Sequence, residues 1–231
     1  MLLSVVIPAF NEEAYIASVI LAVKDIEISG IEVQVIVVDD GSTDNTYEIA
    51  NKHMDPARDL VIRHPKNLGK GAALSTASRF VSGEYVVIQD ADLEYSPSDI
   101  PRLLSPLTEN DADVVFGTRF AGSEARRVLY FWHTVGNRFL TLFSNICTNL
   151  NLTDMETGYK CFSVEVFRKL ELREPGFGVE PEITAKIAKL RLRIFEVSIS
   201  YHGRTYSEGK KIGWKDGVWA IWCILRYSLS K

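Results

Sequence analysis

Cysteine is scarce and widely spaced in this sequence. The three cysteines, Cys147, Cys161 and Cys223, form no Cys-x-x-Cys pair, and their number is odd. A disulfide framework needs paired cysteines and a zinc finger needs closely spaced ligands, so the sequence argues against both. We therefore expect a reducing compartment, with cysteines that serve in packing.

Long apolar runs and an export signal are also missing. The longest uninterrupted apolar run, residues 218–225, has eight residues, whereas a membrane-spanning helix needs about 20. The first residues contain no basic region and no small-residue cleavage site, and their strand-like run stops at Pro8. These absences predict a cytoplasmic protein without a membrane span.

An excess of positive charge is absent as well. The chain has 26 Lys and Arg against 30 Asp and Glu, a formal net charge of -4, so we expect no nucleic-acid partner. With 46% apolar and 24% charged residues the composition is typical of a globular protein. The 231 residues are enough for one sizeable α/β domain or two small ones.

A β-branched run that ends in carboxylates is the most informative stretch of the chain. Residues 86–88 have the composition of a buried strand, and Asp90, Asp92 and Glu94 follow it. Residues two apart in an extended chain point to the same side, so the three carboxylates can face one point. Their repulsion favours a divalent cation such as Mg²⁺, which often shares such a site with substrate phosphates. A solvated acidic turn is the alternative.

Strand-like and helical segments alternate through the first half of the chain. The strands are expected near residues 2–7, 33–38, 60–62, 86–88 and 114–116, with helices between them, the first capped by Asn11. This βαβα order predicts an α/β fold with a mostly parallel sheet and helices on both faces. Ligands bind outside the carboxyl ends of such strands, where the polar side chains of Glu12, Asp40, Lys70, Asp90, Asp92 and Arg119 should converge.

The second half of the chain has a different character. Residues 128–150 are rich in aromatic and aliphatic side chains and predict one or two amphipathic helices, with Gly136 as a break. A helix near 182–190, an edge strand near 194–200 and a helix at 218–229 should follow. Residues 204–217 are basic and contain several glycines, which is typical of a mobile loop that closes over a ligand.

Seven segments together resemble a known family. They are SVVIPAFNE at 4–12, VVDDGS at 37–42, NLGKG at 67–71, DADL at 90–93, GTR at 117–119, DMETGYK at 154–160 and the basic stretch 204–210. The chain resembles the inverting family 2 glycosyltransferases with a GT-A fold, and within them the polyprenyl-phosphate (dolichol-phosphate-type) hexosyltransferases. The resemblance covers nearly the whole chain, and its N-terminal segments are the more specific.

The resemblance implies a role for individual residues. The donor nucleotide-sugar would be bound by Pro8, Phe10, Glu12, Val38, Asp40, Lys70, Asp90, Ala91, Asp92 and Lys210. Asp92 and Glu94 would hold Mg²⁺ or Mn²⁺. The acceptor would be bound by Arg119, His133, Asn137 and Arg138, and the catalytic residues would be Asp92, Arg119 and Arg204.

This chain departs from the family pattern at two of these positions. The lipid-phosphate enzymes often carry Gln where this chain has Glu94, and they can carry an arginine near His133, where the nearest arginine here is Arg138. The first departure makes the predicted metal site more acidic. The second leaves open which side chain meets the acceptor phosphate.

The expected activity is metal-dependent transfer of a hexose, with inversion, from a nucleotide-sugar of the GDP-mannose or UDP-glucose type to a polyprenyl or dolichyl phosphate. The protein would act peripherally on the cytoplasmic membrane face, and a separate membrane-spanning partner is left open. We expect one domain, with a nucleotide-sugar-binding half at 1–119 and an acceptor-binding half at 120–231 that includes the mobile loop 204–217.

Three other functions stay open at this point. A saccharide hydroxyl acceptor would need a carboxylate base, for which Glu180 and Glu182 are the candidates. A non-catalytic nucleotide-sugar-binding module would need neither Asp92 nor the basic loop. A nucleotidyltransferase would usually carry a glycine-rich basic loop after its first strand, where this chain has Ala9-Phe10-Asn11-Glu12.

Overall fold

The computed structural model describes residues 1–121, 130–203 and 214–230. The strands are β1 (Leu2–Ala9), β2 (Glu32–Asp39), β3 (Leu60–Arg63), β4 (Tyr85–Ile88), β5 (Val114–Thr118), β6 (Lys160–Ser163) and β7 (Ile194–Ser198). The helices are α1 (Ile16–Lys24), α2 (Thr46–Lys52), α3 (Lys70–Ala77), α4 (Ile100–Glu109), α5 (Phe131–Thr148), α6 (Val164–Lys169), α7 (Val179–Lys189) and α8 (Trp214–Leu229), and a short 3-10 turn at Pro97–Asp99 precedes α4.

The strands described form a seven-stranded sheet in the order β3-β2-β1-β4-β6-β5-β7. Strands β1 to β4 pair in parallel, and β7 pairs in parallel with β5 at the edge. Strand β6 runs antiparallel to both of its neighbours, β4 and β5. The predicted α/β fold with a mostly parallel sheet is confirmed. Because β6 is antiparallel to both β4 and β5, these two strands run in the same direction.

Helices cover both faces of this sheet, as predicted. Along β1, Leu3, Val5 and Ile7 enter one hydrophobic cluster and Val6 enters the other, which is the two-residue period of a strand. The first cluster is closed by α1, α2 and α4, and the second by α3, α5, α6, α7 and α8. The central strands are therefore buried on both sides, which explains their continuous apolar runs.

Asn11 does not cap the first helix, so that prediction is wrong. Helix α1 begins at Ile16 after Tyr15, and Asn11 lies further upstream with a φ of 51°. Its side-chain oxygen accepts a hydrogen bond from the backbone N–H of Thr43 at 2.9 Å, and its own N–H donates to Ser42 Oγ at 2.9 Å. Asn11 therefore ties the loop after β1 to the loop after β2.

Gly136 does not break the aromatic helix. Helix α5 continues through this residue as one unit of 18 residues. A glycine in a helix interior costs only about 1 kcal/mol relative to alanine, which the flanking apolar positions outweigh. Helix α8 also begins at Trp214, earlier than the expected 218, so residues 214–217 of the predicted loop form its first turn.

We predict that Gly136→Ala stabilises the protein. A Cβ built at Gly136 meets no atom of the described residues within 4 Å, so alanine there removes backbone entropy from the unfolded chain without a clash against them. We expect the free energy of unfolding in urea to rise by about 0.5–1 kcal/mol.

Gly71→Ala is the matched control for this prediction, because Gly71 is also helical but crowded. A Cβ at Gly71 would lie 1.9 Å from the backbone oxygen of Glu174, so this variant should lose stability. A loss of stability in Gly136→Ala would contradict the open packing of α5 at that point.

Candidate active site

The loops after β1 and β2 are joined to each other at the carboxyl edge of the sheet. Besides the Asn11 contacts, the backbone N–H of Glu12 donates to Thr46 Oγ1 at 2.8 Å. Glu12 and Asp40 are both buried there. The predicted donor residue Val38 is fully buried and packs in the second hydrophobic cluster, beneath this edge.

Asp40 fixes the turn that leads into α3. Its carboxylate accepts hydrogen bonds from the backbone N–H groups of Leu68 at 2.9 Å and Gly69 at 2.6 Å, and His64 Nδ1 lies 2.7 Å from Oδ1. Gly69 has a φ of 99°, in the region that favours glycine. These contacts hold Lys70 as the first residue of α3, facing the end of β4.

Lys70 forms an ion pair with two carboxylates. Its Nζ lies 2.8 Å from Asp90 Oδ1 and 3.0 Å from Glu180 Oε1. Burial alone would lower the pKa of Lys70, but the charges of Asp90 and Glu180 outweigh it and raise the pKa above its usual range. Gly158 closes this cluster, because a Cβ there would lie 2.4 Å from Asp90 Oδ2.

The three carboxylates after β4 do not gather around one point. Asp90 pairs with Lys70, Asp92 Oδ1 accepts the backbone N–H of Glu94 at 3.2 Å, and Tyr201 OH donates to Glu94 Oε2 at 2.9 Å. Among the residues the structure describes, no three His, Cys, Asp or Glu side chains are grouped to hold a metal. The prediction of a three-carboxylate site is therefore wrong.

Asp92 and Glu94 nevertheless suit a metal that is shared with a substrate. Both are half-buried at the strand end, and Leu93 between them has a φ of 58°, which is uncommon for leucine. Mg²⁺ is commonly held by one or two carboxylates together with substrate phosphates and water. Two hard oxygen donors at this edge fit that coordination.

Arg119 is clamped by Asp154 after β5. Its Nε and one terminal nitrogen donate to the two oxygens of Asp154, at 2.6 and 2.8 Å, and its backbone N–H donates to Oδ2. Burial would lower the pKa of Arg119, but the charge of Asp154 raises it. Asn137 on α5 also donates to Asp154, at 3.3 Å.

Two of the predicted acceptor residues, Arg119 and Arg138, lie beside Phe120, and a third, Asn137, shares Asp154 with Arg119. The guanidinium carbons of Arg119 and Arg138 lie 5.7 and 6.0 Å from the centre of its ring. His133 lies one helical turn before Asn137, half-buried, with its ring 6.0 Å from that of Tyr130. Arg204 and Lys210, predicted to close on the diphosphate, lie outside the described residues.

Two charged residues that sequence reasoning left without a role, Glu156 and Lys160, interact with the charges of Glu180 and Asp154. Burial and the charge of Glu180 raise the pKa of Glu156 to about 8, and burial lowers the pKa of Lys160 to about 8. Asp154 was missed in the same way. The three follow one another in DMETGYK, so the charge density of that segment was a usable signal.

The two candidate bases occupy different surroundings. Glu182 accepts the backbone N–H groups of Arg173 and Glu174 and pairs with Lys186 at 2.7 Å. Glu180 lies beside Lys70, and its buried Oε2 has no hydrogen-bond partner among the described residues. The structure therefore places Glu180 in the charged cluster and Glu182 in a structural network.

The chain is similar to known glycosyltransferases over nearly its whole length. Residues 4–171 match the family model described as glycosyl transferase family 2. A low-salt glycan biosynthesis hexosyltransferase, Agl6, of Haloferax volcanii is 32% identical over 92% of this chain, which spans about half (51%) of that protein. A UDP-N-acetylglucosamine–dolichyl-phosphate N-acetylglucosaminyltransferase of Methanococcus voltae is 26% identical and is covered over 97% of its length.

A similar solved structure is glucosyl-3-phosphoglycerate synthase of Mycobacterium tuberculosis in complex with Mn²⁺, UDP and glucosyl-3-phosphoglycerate. It has a TM-score of 0.75 and 26% identity, and the match covers 98% of this chain and 79% of that one. The same enzyme with Mg²⁺ and UDP gives a TM-score of 0.72 at 25% identity. The predicted GT-A fold is thereby confirmed.

We predict that Asp154→Asn strongly destabilises the protein. Asp154 is fully buried, and the change removes the negative charge that Arg119 contacts through three of its nitrogens. Breaking a buried pair from one side costs about 3–5 kcal/mol, which urea unfolding would measure.

Asp113→Asn is a closely matched control. Arg193 contacts Asp113 through the same three nitrogens, with side-chain distances of 3.1 and 3.0 Å, but its side chain is 58% exposed. Loss of such a pair should cost no more than about 1 kcal/mol. Equal losses of unfolding free energy in the two variants would show that burial does not determine how much the Asp154–Arg119 pair contributes to stability.

Proposed function

Because the chain belongs to glycosyl transferase family 2, we propose that this glycosyltransferase moves a hexose, with inversion, from a nucleotide-sugar to a polyprenyl or dolichyl phosphate at a membrane surface. The observation that carries the acceptor assignment is the pair of arginines beside Phe120, of which Arg138 belongs to α5, a helix with an apolar outer face. An ionised headgroup on an apolar chain is the ligand that such a neighbourhood fits.

The donor side is supported by the charged groups at the end of β4. In this proposal the nucleoside diphosphate leaves from the neighbourhood of Lys70, Asp90 and Asp92. The UDP that the similar Mycobacterium tuberculosis enzyme binds supports a nucleoside diphosphate as the leaving group. Asp92 and Glu94 would hold Mg²⁺ or Mn²⁺, which neutralises the charge that develops on the leaving group. The proposal keeps Arg204 and Lys210 as further diphosphate contacts.

A phosphate acceptor explains why arginines, and not a strong base, would be needed. The second pKa of a phosphate monoester is about 6, so the nucleophile is already largely ionised at neutral pH. Arginine binds phosphate in a fork geometry. The Asp154 clamp fixes the orientation of Arg119 before the acceptor arrives, while Arg138, also beside Phe120, is exposed.

Helices α5 and α8 pack against each other, and the exposed outer faces of both helices support the membrane assignment. We call this surface the α5–α8 face. Its exposed apolar residues are Phe131, Trp132, Val135, Phe139, Leu142 and Ile146 on α5, and Val218, Trp219, Trp222, Leu225 and Leu229 on α8. Within the described ranges, none of the helices is both long and apolar enough to cross a bilayer. Amphipathic helices with exposed tryptophan are suited to lie in the membrane interface.

A saccharide hydroxyl is the second candidate acceptor. It would need a carboxylate base, and the observation that favours it is the buried Oε2 of Glu180, which accepts no hydrogen bond from the part of the chain that the structure describes. Glu182 is committed to Arg173, Glu174 and Lys186, so Glu180 would carry that role. The two acceptors are separated by the assay below.

We predict metal-dependent transfer to lipid phosphate that Asp92→Ala abolishes. Purified protein would be incubated with UDP- and GDP-hexoses, Mn²⁺ or Mg²⁺, and either a polyprenyl phosphate or a saccharide. Transfer to the lipid phosphate should stop on addition of EDTA. Loss of a group that stabilises developing charge typically costs at least about a hundredfold in turnover.

The Asp113→Asn variant is the control, since Asp113 lies at the opposite end of β5. Its turnover should match the unmodified protein. Near-normal turnover of Asp92→Ala with Mn²⁺ present would refute the metal assignment. Transfer to the saccharide alone would replace the lipid acceptor by the second candidate.

We also predict that the protein sediments with liposomes through the α5–α8 face. The double variant Phe139→Glu, Leu142→Glu places charges on two side chains that are 55% and 60% exposed. Burial of one such side chain is worth about 1.5–3 kcal/mol, so binding should fall roughly tenfold or more.

Phe80→Glu is the matched control, because Phe80 is also exposed, at 43%, but lies after α3 and outside the α5–α8 face. It should bind liposomes as the unmodified protein does. Equal binding by all three proteins, or by none at any lipid composition, would count against the membrane assignment.

A further inference from the structure

Lys160 is a lysine buried in the centre of the sheet. It is the first residue of β6, its register partners are Ile88 on β4 and Phe116 on β5, and it is 1% exposed. Lysine is almost never fully buried unless its ammonium group is compensated. A buried lysine between the two strands that end in the active site therefore calls for a specific role.

The ammonium group of Lys160 is compensated by the segment that precedes it. Its Nζ donates to the backbone oxygens of Met155, at 3.4 Å, and Thr157, and it lies 4.9 Å from the centre of the Phe116 ring. Carbonyl dipoles and an aromatic face both stabilise a cation. These contacts fold residues 154–158 back over the start of β6.

One end of that folded segment holds the acceptor side of the site. Asp154 comes directly before the Met155 carbonyl, and it clamps Arg119 and accepts a hydrogen bond from Asn137. The backbone N–H of Met155 donates to Thr141 Oγ1 on α5 at 3.1 Å. The position of the Arg119 guanidinium therefore depends on where this end of the segment lies.

The other end holds the donor side. Gly158 follows the Thr157 carbonyl, and its N–H donates to Tyr95 OH at 3.0 Å. A Cβ on Gly158 would lie 2.4 Å from Asp90 Oδ2 and 3.1 Å from Lys70 Nζ. The segment is thus packed so closely against the Lys70–Asp90 ion pair that a side chain larger than glycine at position 158 would clash with it.

We propose that Lys160 is a positioning residue that sets the separation between the phosphate-binding Arg119 and the donor-side pair of Lys70 and Asp90. Its ammonium group binds the two carbonyl oxygens of Met155 and Thr157, which lie between Asp154 and Gly158. It therefore fixes the positions of both ends of the segment relative to each other. This inference rests on the proposed function, because it assumes that a donor and an acceptor meet between these groups.

The test compares Lys160→Met, Lys160→Gln and Lys24→Met. Methionine keeps the length of the side chain but donates nothing, whereas glutamine keeps an N–H donor. In Lys160→Met we expect kcat to fall about a hundredfold, the loss that a misplacement of about 1 Å brings, with nucleotide affinity by calorimetry nearly unchanged. Lys160→Gln should recover part of kcat.

Lys24→Met is the control for loss of a lysine that supports a backbone oxygen. Lys24 Nζ donates to the oxygen of His53 at 2.7 Å and pairs with Asp59 at 2.5 Å, at the end of α1 away from the active edge. It should lose stability in urea and keep its kcat.

Three results would overturn the positioning role. A folded Lys160→Met protein with the kcat of the unmodified enzyme would do so, as would losses of kcat in Lys160→Met and Lys24→Met that merely follow their losses of stability. Failure of both Lys160 variants to fold would show that the lysine holds the fold and not the site. An unmodified protein that transfers no sugar would instead refute the proposed function, so the two failures are distinguishable.

Discussion

The reversal of β6 is the constraint on which the active edge depends. Its neighbours β4 and β5 end at the edge where ligands bind in such sheets, and the start of β6 pairs with their ends, Lys160 opposite Ile88 and Phe116. Because β6 runs against them, the segment before it arrives at that same edge. Residues 154–158 therefore lie between the ends of β4 and β5, where they contact Asp90 after β4 and Arg119 after β5.

Electrostatic compensation follows from this placement. Lys70 is paired with Asp90 and Glu180, and Arg119 with Asp154, so these half-buried cations have countercharges within the protein. Removing one partner from such a pair is far more costly than the net value of the pair. The ion pairs thus hold side chains in fixed orientations before any substrate binds, and orientation is what transfer between two bound reactants requires.

The sheet was predictable where strands are long apolar runs, as in β1 and β2, and so was the polar edge that follows them. Strand β6 was not, because it has four residues, begins with a lysine and shows no period. Asp90 was expected to face a metal, since local spacing cannot reveal that Lys70 lies opposite it in space. The roles of Asp154 and Lys160 were not predicted for the same reason, because the strand order of the sheet determines their partners and the sequence does not reveal that order.

Helix α5 joins the Arg119–Asp154 clamp to the apolar surface. Asn137 and Thr141, four residues apart on its inner side, hold Asp154 and Met155, while Phe139 and Leu142 on its outer side are exposed. Both sets belong to one uninterrupted helix, because Gly136 does not break it. If the acceptor is a lipid phosphate, a headgroup at Arg119 would leave its chain beside this outer face. In that case a shift of α5 at the membrane surface would also move Asn137, which donates to Asp154, so α5 would connect the membrane contact to the Arg119 clamp.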